Sequence, residues 1–126
     1  MNIDSLREYC LGKPHVTEAL PFGPDVLVFK VAGKMFLLIP LDTPDLQFNA
    51  KCDPERCIEL REKYPCIKPG YHMDKSKWNT VLVDYSLPAN MILGLIDHSY
   101  EQVVLGLPKK TRKKLFTNLF TRFVFE

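Results

Sequence analysis

Two neighbouring apolar runs give the clearest structural signal in this chain of 126 residues. Residues 26–31 and 34–39 are rich in Val, Leu, Ile and Phe, and Ala32-Gly33 separates them. Because glycine readily takes the positive φ of a two-residue turn, the pattern predicts a β-hairpin. Residues 46–52 alternate apolar and polar side chains, as a half-buried strand does, and extend the hairpin to a three-stranded meander.

Helical spacing of apolar side chains predicts three helices around these strands. Residues 3–11 form the first, which ends before a glycine. Residues 54–64 begin with proline and follow an aspartate, the usual N-cap arrangement, and form the second. Ser86 with Pro88 begins the third, which extends to Leu105.

The remaining segments complete the fold prediction. Residues 14–25 contain three prolines and a glycine and are expected to form a loop. Residues 66–77 are predicted to be a long loop, in which residues 71–73 can form a short strand opposite a strand over 78–84. With no repeated β-α-β unit, this order predicts an α+β fold. We expect a two-layer sandwich with helices packed on one face of an antiparallel sheet of about five strands.

Length and composition favour a single domain. The chain has 46% hydrophobic and 25% charged residues, close to the globular average, and can build a core without metal or disulfides. Its four cysteines match no zinc-site spacing. They are expected to be reduced thiols in a cytoplasmic protein, because no signal peptide pattern is present. The longest apolar run, residues 35–41, is too short to span a bilayer, and neither a cofactor nor a membrane partner is expected.

The formal net charge of +2 conceals an uneven distribution. Residues 109–126 contain six basic residues and one acidic residue, whereas residues 1–108 contain eleven and fourteen. The tail over 115–126 repeats apolar side chains at helical spacing, which predicts an amphipathic helix packed on the core or on a second subunit. The basic run before it, which includes Lys109, Lys110 and Arg112, is either a solvated end or a site for phosphate groups.

No residue pattern indicates catalysis, and the protein is expected not to be an enzyme. Asp97, His98 and Ser99 have the residue types of a hydrolytic triad, but consecutive helical residues point about 100° apart. Glycine-rich phosphate loops and the nucleophile elbow are absent from the sequence. The one enzyme hypothesis that remains places His72 with Asp74 or Tyr71 in a cleft.

Residues 63–78 mix basic and aromatic side chains. They are Lys63, Lys68, Lys75 and Lys77, with Tyr64, Tyr71, His72 and Trp78 among them. Lysines neutralise phosphates while aromatic rings stack on bases, which is the chemistry of nucleic-acid surfaces. A structural explanation competes, in which Tyr71, Met73 and Trp78 close the core of the sheet and the lysines protect an edge strand.

Six short motifs carry a resemblance to a known family. They are Pro21-Phe22-Gly23, Val28-Phe29-Lys30-Val31 with Gly33-Lys34-Met35-Phe36, Asn49-Ala50-Lys51-Cys52, Pro69-Gly70-Tyr71-His72-Met73, Lys77-Trp78-Asn79-Thr80 and Leu95-Ile96-Asp97-His98-Ser99-Tyr100. In this order and spacing they resemble the MmcQ/YjbR family of small bacterial proteins. The resemblance covers roughly residues 6–114, and we expect a single domain over residues 1–114. It implies a compact α+β fold similar to type III secretion chaperones and CyaY-like proteins.

The resemblance also implies a function, because the family is described as binding DNA through two wing-like hairpin loops. Transferred to this chain, the wings are the turn around Lys30 to Lys34 and the loop from Lys68 to Lys77. The expected phosphate contacts are Lys30, Lys34, Lys68, Lys75, Lys77, Lys109, Lys110 and Arg112, and Tyr71, His72 and Trp78 shape the wing or stack in it. Because the rest of the chain is acidic, binding to duplex DNA is expected to be weak and salt-sensitive.

Two alternatives stay open beside DNA binding. The chain can be a protein-interaction or small-molecule-binding module that uses an apolar sheet face or the Phe-rich tail, which would hold a protein partner or a second copy. The motifs also have a purely structural explanation. In that explanation Gly70 forms a positive-φ turn, Trp78 fills core volume, and His98 and Tyr100 make buried hydrogen bonds to a neighbouring loop.

Overall fold

The predicted hairpin forms two inner strands of a six-stranded antiparallel sheet. The structure, a computed structural model, describes residues 1–116. The strands are β1 (Val16–Ala19), β2 (Val26–Val31), β3 (Lys34–Pro40), β4 (Gln47–Lys51), β5 (Ile67–Pro69) and β6 (Trp78–Leu82), in the spatial order β1-β2-β3-β4-β6-β5. The helices are α1 (Ile3–Leu11), α2 (Pro54–Lys63) and α3 (Ala89–Leu105), and residues 109–116 are helical and are called α4.

The predicted α+β class and the helices on one face of an antiparallel sheet are confirmed. Ala32 and Gly33 close the β2–β3 hairpin with φ values of 49° and 81°, the two positive values that a tight hairpin turn of this type requires. None of the helices described is long and apolar enough to span a bilayer.

Two details of the predicted sheet are wrong. The segment 14–25, predicted as a loop, contains β1, so the sheet has six strands. Its prolines flank this short edge strand and do not interrupt it, and proline is tolerated at such positions. The short strand predicted at residues 71–73 lies at Ile67–Pro69, because residues 71–73 form a turn in which His72 has a φ of 59°.

The main core lies between the helices and one face of the sheet. Phe29, Phe36 and Phe48 from three neighbouring strands are fully buried there, together with Ile96 of α3. The pairing of β2 with β3 is irregular at Phe36, and this bulge lets both Phe36 and Leu37 reach the core.

Ser99 of α3 bridges β3 and β4 beside this bulge. Its hydroxyl accepts a hydrogen bond from the backbone N–H of Lys51 at 2.8 Å and donates one to the carbonyl of Phe36. These two backbone groups are therefore satisfied by a side chain of the helix. The contact ties α3 to the end of β4.

The opposite face of the sheet, which we call the open face, has a smaller apolar cluster. Val28, Leu38 and Trp78 are buried in it, and Val26, Met35 and Met73 pack around them. No helical residue belongs to this cluster among the residues described. Met73 comes from the connection between β5 and β6, so that loop covers part of the open face.

Candidate nucleic-acid interface

The two predicted wings lie at the same end of the sheet. The first wing is the β2–β3 turn, residues 30–34, and the second is the connection through residues 68–77. Because β3 begins at the first wing and β4 runs antiparallel to it, β4 ends beside that wing at Lys51. Lys51 is opposite Trp78, the first residue of β6, which follows the second wing. Only β4 separates β3 from β6, so these two strands, which carry the wings, are about 10 Å apart.

This end of the sheet is rich in lysine, and we call it the lysine end. Its lysines are Lys30, Lys34, Lys51, Lys68, Lys75 and Lys77. The connections at the opposite end carry exposed aspartates, Asp25, Asp42, Asp45 and Asp84, and we call it the aspartate end. The lysine end also carries Asp74 in the second wing and Asp53 after β4, so its loops have a net positive charge and those of the aspartate end a net negative charge, which the net charge of the chain does not reveal.

Three of the lysines lie on the open face. One row across that face consists of Val28, Leu38, Asn49, Thr80 and Lys68, which are paired from strand to strand. Lys30 lies two residues after Val28 and Lys51 two residues after Asn49, so both point to the same face as this row. Lys51 is absent from the predicted contacts, because only the pairing of β4 with β6 brings it between the wings.

Gly70 fixes the second wing against the open face. A Cβ atom on Gly70 would lie 2.9 Å from Cβ of Trp78 and 3.1 Å from Cβ of Met73. The Gly70 N–H also donates to the Trp78 carbonyl at 2.9 Å. The prediction that Gly70 serves a positive-φ turn is wrong, since the positive φ values among the described glycines are those of Gly23 and Gly33. Glycine is needed here for close approach.

A buried polar pair holds the backbone of Tyr71. The Tyr71 N–H donates to Oγ1 of Thr80 at 3.0 Å, and its carbonyl accepts from Nδ2 of Asn49 at 3.2 Å. The hydroxyl of Thr80 also donates to Oδ1 of Asn49. Asn49 and Thr80 are only 7% and 6% exposed. Neither residue is among the predicted site residues, although both lie in motifs that carry the family resemblance and alternation along β4 places Asn49 on the polar face.

The second wing presents Tyr71 and His72 to solvent. The side chain of Tyr71 is 64% exposed, and its ring centroid lies 4.0 Å from that of His72, with 49° between the ring planes. Trp78, by contrast, is 9% exposed beneath the loop. Of the aromatic residues predicted for this wing, Tyr71 and His72 are therefore available to a ligand, and Trp78 shapes the wing from below.

Hydrogen bonds brace the rest of the second wing. Ser76 donates to the Asp74 carboxylate through its N–H at 3.0 Å and its hydroxyl at 2.7 Å, and these bonds lower the pKa of Asp74. Lys75 Nζ donates to the Gly70 carbonyl at 3.3 Å, and the guanidinium of Arg61 donates to the Lys75 carbonyl. The wing is therefore a well-supported loop rather than a free hairpin.

The end of α4 reaches the first wing from the helix side. Nε2 of His15 lies 2.9 Å from the Leu115 carbonyl, and the Phe116 ring packs edge-on against His15 at 5.0 Å. The His15 carbonyl in turn accepts from the N–H of Ala32 in the first wing. Phe116 is 1% exposed in the main core, whereas residues 117–126 of the predicted tail helix lie outside the described residues.

The predicted tail contacts are not on the open face. Lys109 and Lys110 begin α4, which packs into the main core through Phe116. Arg112 Nη1 donates to the carbonyl of Leu105 at 3.3 Å, at the end of α3. The structure brings the eight predicted residues of the two wings to one end of the sheet, and it places these three residues on the helix side.

The residues that resemble a catalytic triad have separate structural partners. Asp97 accepts from the Tyr9 hydroxyl at 2.6 Å and pairs with Lys13. Nε2 of His98 accepts from the N–H of Asp53 at 3.1 Å, the N-cap of α2. Burial, with a contribution from Arg56, lowers the pKa of His98. Ser99 bridges β3 and β4, as described above.

The structural roles considered for His98 and Tyr100 are confirmed. His98 bonds the loop before α2, and the Tyr100 hydroxyl donates to the Pro14 carbonyl at 2.7 Å in the loop before β1. Burial raises the pKa of the Tyr100 hydroxyl to about 12. Both residues therefore hold α3 to flanking loops on the helix side, away from the open face.

The cysteines belong to the main core. Cys10, Cys52, Cys57 and Cys66 are all free and buried. Burial raises the pKa of Cys10 and that of Cys52 to about 12. Within residues 1–116, no three His, Cys, Asp or Glu side chains are grouped so that they could hold a metal ion. A cavity of about 10 Å³ lies in this core beside His98 and Asn79, on the other side of the sheet from His72.

Comparison with known proteins gives the family. The family model described as YjbR matches residues 11–102. The chain belongs to the YjbR family. It is similar to YbdF of Escherichia coli O157:H7, with 35% identity over 89% of this chain and 92% of YbdF. It is also similar to YjbR of Escherichia coli K12, with 32% identity over 91% of this chain and 98% of that protein.

Solved structures of related proteins share the YjbR fold. The crystal structure of the Deinococcus radiodurans protein DR2400 matches with a TM-score of 0.86 and 39% identity, over 90% of this chain and 87% of DR2400. A Pseudomonas syringae protein matches with a TM-score of 0.71 and 30% identity, over 81% of this chain and 98% of that protein. The resemblance to the YjbR family stated from the motifs is therefore confirmed.

The matched YjbR region contains both wings. It extends from the end of α1 into α3 and includes Lys30, Lys51 and Lys77, together with the polar pair beneath Tyr71. It ends before α4, so Lys109, Lys110 and Arg112 lie outside it. The lysine end of the sheet is thus part of the matched family region.

Proposed function

We propose that this YjbR-family chain is a non-enzymatic binding protein whose lysine end contacts the phosphates of duplex DNA. The observation that carries the proposal is the register of the sheet, which brings both wings to one end, on strands separated only by β4. Lysines from both wings and from β4 then form one positively charged surface. Contacts to phosphate position a protein on a duplex without reading its sequence.

The separation of charge supports this orientation. A polyanion attracts the lysine end and repels the aspartates at the other end of the sheet. Exposed acids of α2, Glu55, Glu59 and Glu62, lie on the helix side of the sheet. The net attraction is therefore local, and we expect weak binding that depends strongly on salt.

The salt dependence has a predicted size. With about five phosphate contacts, the logarithm of the affinity falls against the logarithm of the salt concentration with a slope of about −4 to −5. Removing two contacts lowers the magnitude of that slope by about two. A sequence-independent complex of this kind gives similar values for duplexes of different sequence.

The test is fluorescence anisotropy with a labelled duplex across a salt series. Lys34→Gln with Lys77→Gln removes one charge from each wing and is expected to weaken binding by about tenfold or more at low salt and to flatten the slope. Lys109→Gln with Lys110→Gln is the matched control, with the same loss of charge on the helix side, and is expected to change the affinity much less. No binding at low salt, or equal effects of the two variants, would reject the proposal.

A protein-interaction module is the second candidate. It is favoured by apolar side chains exposed at the aspartate end, where Phe22 is 63% and Leu41 is 42% exposed. The open face offers little apolar area because Val28, Leu38 and Trp78 are buried. Phe116 of the apolar tail is already in the chain's own core. Sedimentation equilibrium of the chain tests for a homodimer, which a Phe22→Ser variant should dissociate if the aspartate end forms the contact.

A further inference from the structure

The side chain of Tyr71 is exposed although its backbone is among the best anchored of the second wing. The ring lies beside His72 at a centroid distance of 4.0 Å, and 64% of the residue is accessible. We infer that Tyr71 and His72 form a stacking platform for an unpaired base in otherwise duplex DNA. This inference rests on the proposed function and names a preferred feature of its ligand.

The platform is held in place from below. Both backbone polar groups of Tyr71 bond to the buried pair Asn49 and Thr80, and the preceding Gly70 is in contact with Trp78. The backbone that carries the ring is therefore already fixed when a base binds. Such preorganisation reduces the entropic cost of binding.

The backbone at His72 is strained. Its φ of 59° lies in the left-handed region, which costs a non-glycine residue energy. Strained conformations persist where surrounding contacts over-determine them, and they concentrate at ligand-binding sites. At this turn the His72 ring stacks obliquely on the Tyr71 ring, which leaves the opposite face of the Tyr71 ring for a base.

Two lysines lie near the platform. Lys68 on β5 is opposite Thr80, whose hydroxyl accepts from the Tyr71 N–H, so Lys68 lies one strand away from the platform. Lys75 Nζ donates to the carbonyl of Gly70, the residue before Tyr71, at 3.3 Å. Cationic side chains beside a stacking ring are typical of surfaces that bind single strands, where they contact the phosphates.

An unpaired base fits this surface better than a paired one. Inside a duplex the faces of each base are covered by its neighbours, so stacking on Tyr71 would first require unstacking, at a cost of a few kcal/mol. A bulged base has already lost part of that stacking. The exposed Tyr71 ring can then accept it while the lysines of the other wing stay on the paired flank.

The test compares three labelled DNAs of the same sequence at low salt by anisotropy. One is fully paired, one has a single unpaired adenine at its centre, and one has an abasic nucleotide at that position. The full-length protein is expected to bind the bulged adenine about 5- to 100-fold more tightly than the paired duplex. The abasic bulge should lose that preference.

Variants separate stacking from general attraction. Tyr71→Ala should abolish the preference, so that the variant binds the bulged adenine and the paired duplex with equal affinity, whereas Tyr71→Phe should retain the preference. Tyr85→Ala is the matched control, because Tyr85 is 84% exposed at the aspartate end.

The remaining outcomes distinguish a failure of the platform from a failure of the proposed function. Equal affinity of the wild type for paired and bulged DNA, or an equal loss on both in Tyr71→Ala, overturns the platform while the duplex-binding proposal stands. Absence of binding to all three DNAs at low salt overturns the proposed function itself.

Discussion

The backbone of Gly70 lies directly against Trp78. A Cβ atom on Gly70 would come within 2.9 Å of both the Cβ atom and the carbonyl oxygen of Trp78. The carbonyl oxygen belongs to a paired strand and cannot move away easily. The position of the second wing over the open face therefore depends on the absence of a side chain at Gly70.

Replacing Gly70 with alanine should destabilise the fold. Overpacking against Trp78 is expected to cost about 1–3 kcal/mol of unfolding free energy, measured by urea denaturation. Gly94→Ala is the control, since a Cβ at Gly94 meets nothing within 4 Å in the middle of α3. That variant should gain roughly 0.5–1 kcal/mol from helix propensity. A Gly70→Ala protein as stable as the wild type would contradict the close approach.

The buried pair Asn49 and Thr80 should be energetically coupled. Thr80→Val removes the acceptor of the Tyr71 N–H and is expected to cost about 1–3 kcal/mol of unfolding free energy. In a double-mutant cycle with Asn49→Ala, the coupling energy should be about 0.5–3 kcal/mol. Thr17→Val on the exposed edge strand β1 is the control and should change stability by less than about 0.5 kcal/mol. Additive effects of Thr80→Val and Asn49→Ala on the unfolding free energy would refute the network.

His98 should make stability depend on pH. Its pKa is lowered in the folded protein by burial and by Arg56, so the unfolded chain binds its proton more readily. Stability contributed by neutral His98 is therefore present above its unfolded pKa, near 6.5, and is lost as the pH falls toward the lower folded pKa.

Urea denaturation at pH 7.5, 6.5 and 5.5 measures this dependence. His98→Gln keeps a polar side chain beside the Asp53 N–H and should show a weaker loss of stability across that range. His72→Gln leaves His98 in place and should follow the wild type. Identical pH profiles for the wild type and His98→Gln would exclude His98 as the source.

Local patterns predicted much of the fold. The hairpin and the helices are predictable because their signals are local. A turn glycine, a proline after an N-cap and the helical spacing of apolar residues each lie within about ten residues. The strand β1 was missed because its flanking prolines are turn signals and it pairs with residues 9 to 15 positions away along the chain. The short strand was displaced from residues 67–69 to 71–73 for the same reason.

The candidate site was predictable only in part. The lysines and aromatic side chains of residues 68–77 were visible, because they lie close together in the sequence. Lys51, Asn49 and Thr80 were not, because their contribution comes from the pairing of β4 with β6, which no local pattern specifies. The role of Gly70 was also misjudged, since sequence shows that glycine is present but not whether φ or close contact requires it.

The central claim is that the lysine end is the DNA-binding surface. Amide chemical shifts recorded at low salt, while an unlabelled duplex is added to isotope-labelled protein, locate that surface residue by residue. We expect the largest changes at Ala32 and Gly33 and along residues 70–77, with little change at residues 41–45 and 84–86. Changes confined to the aspartate end or to α4, or no change at low salt, would contradict the claim.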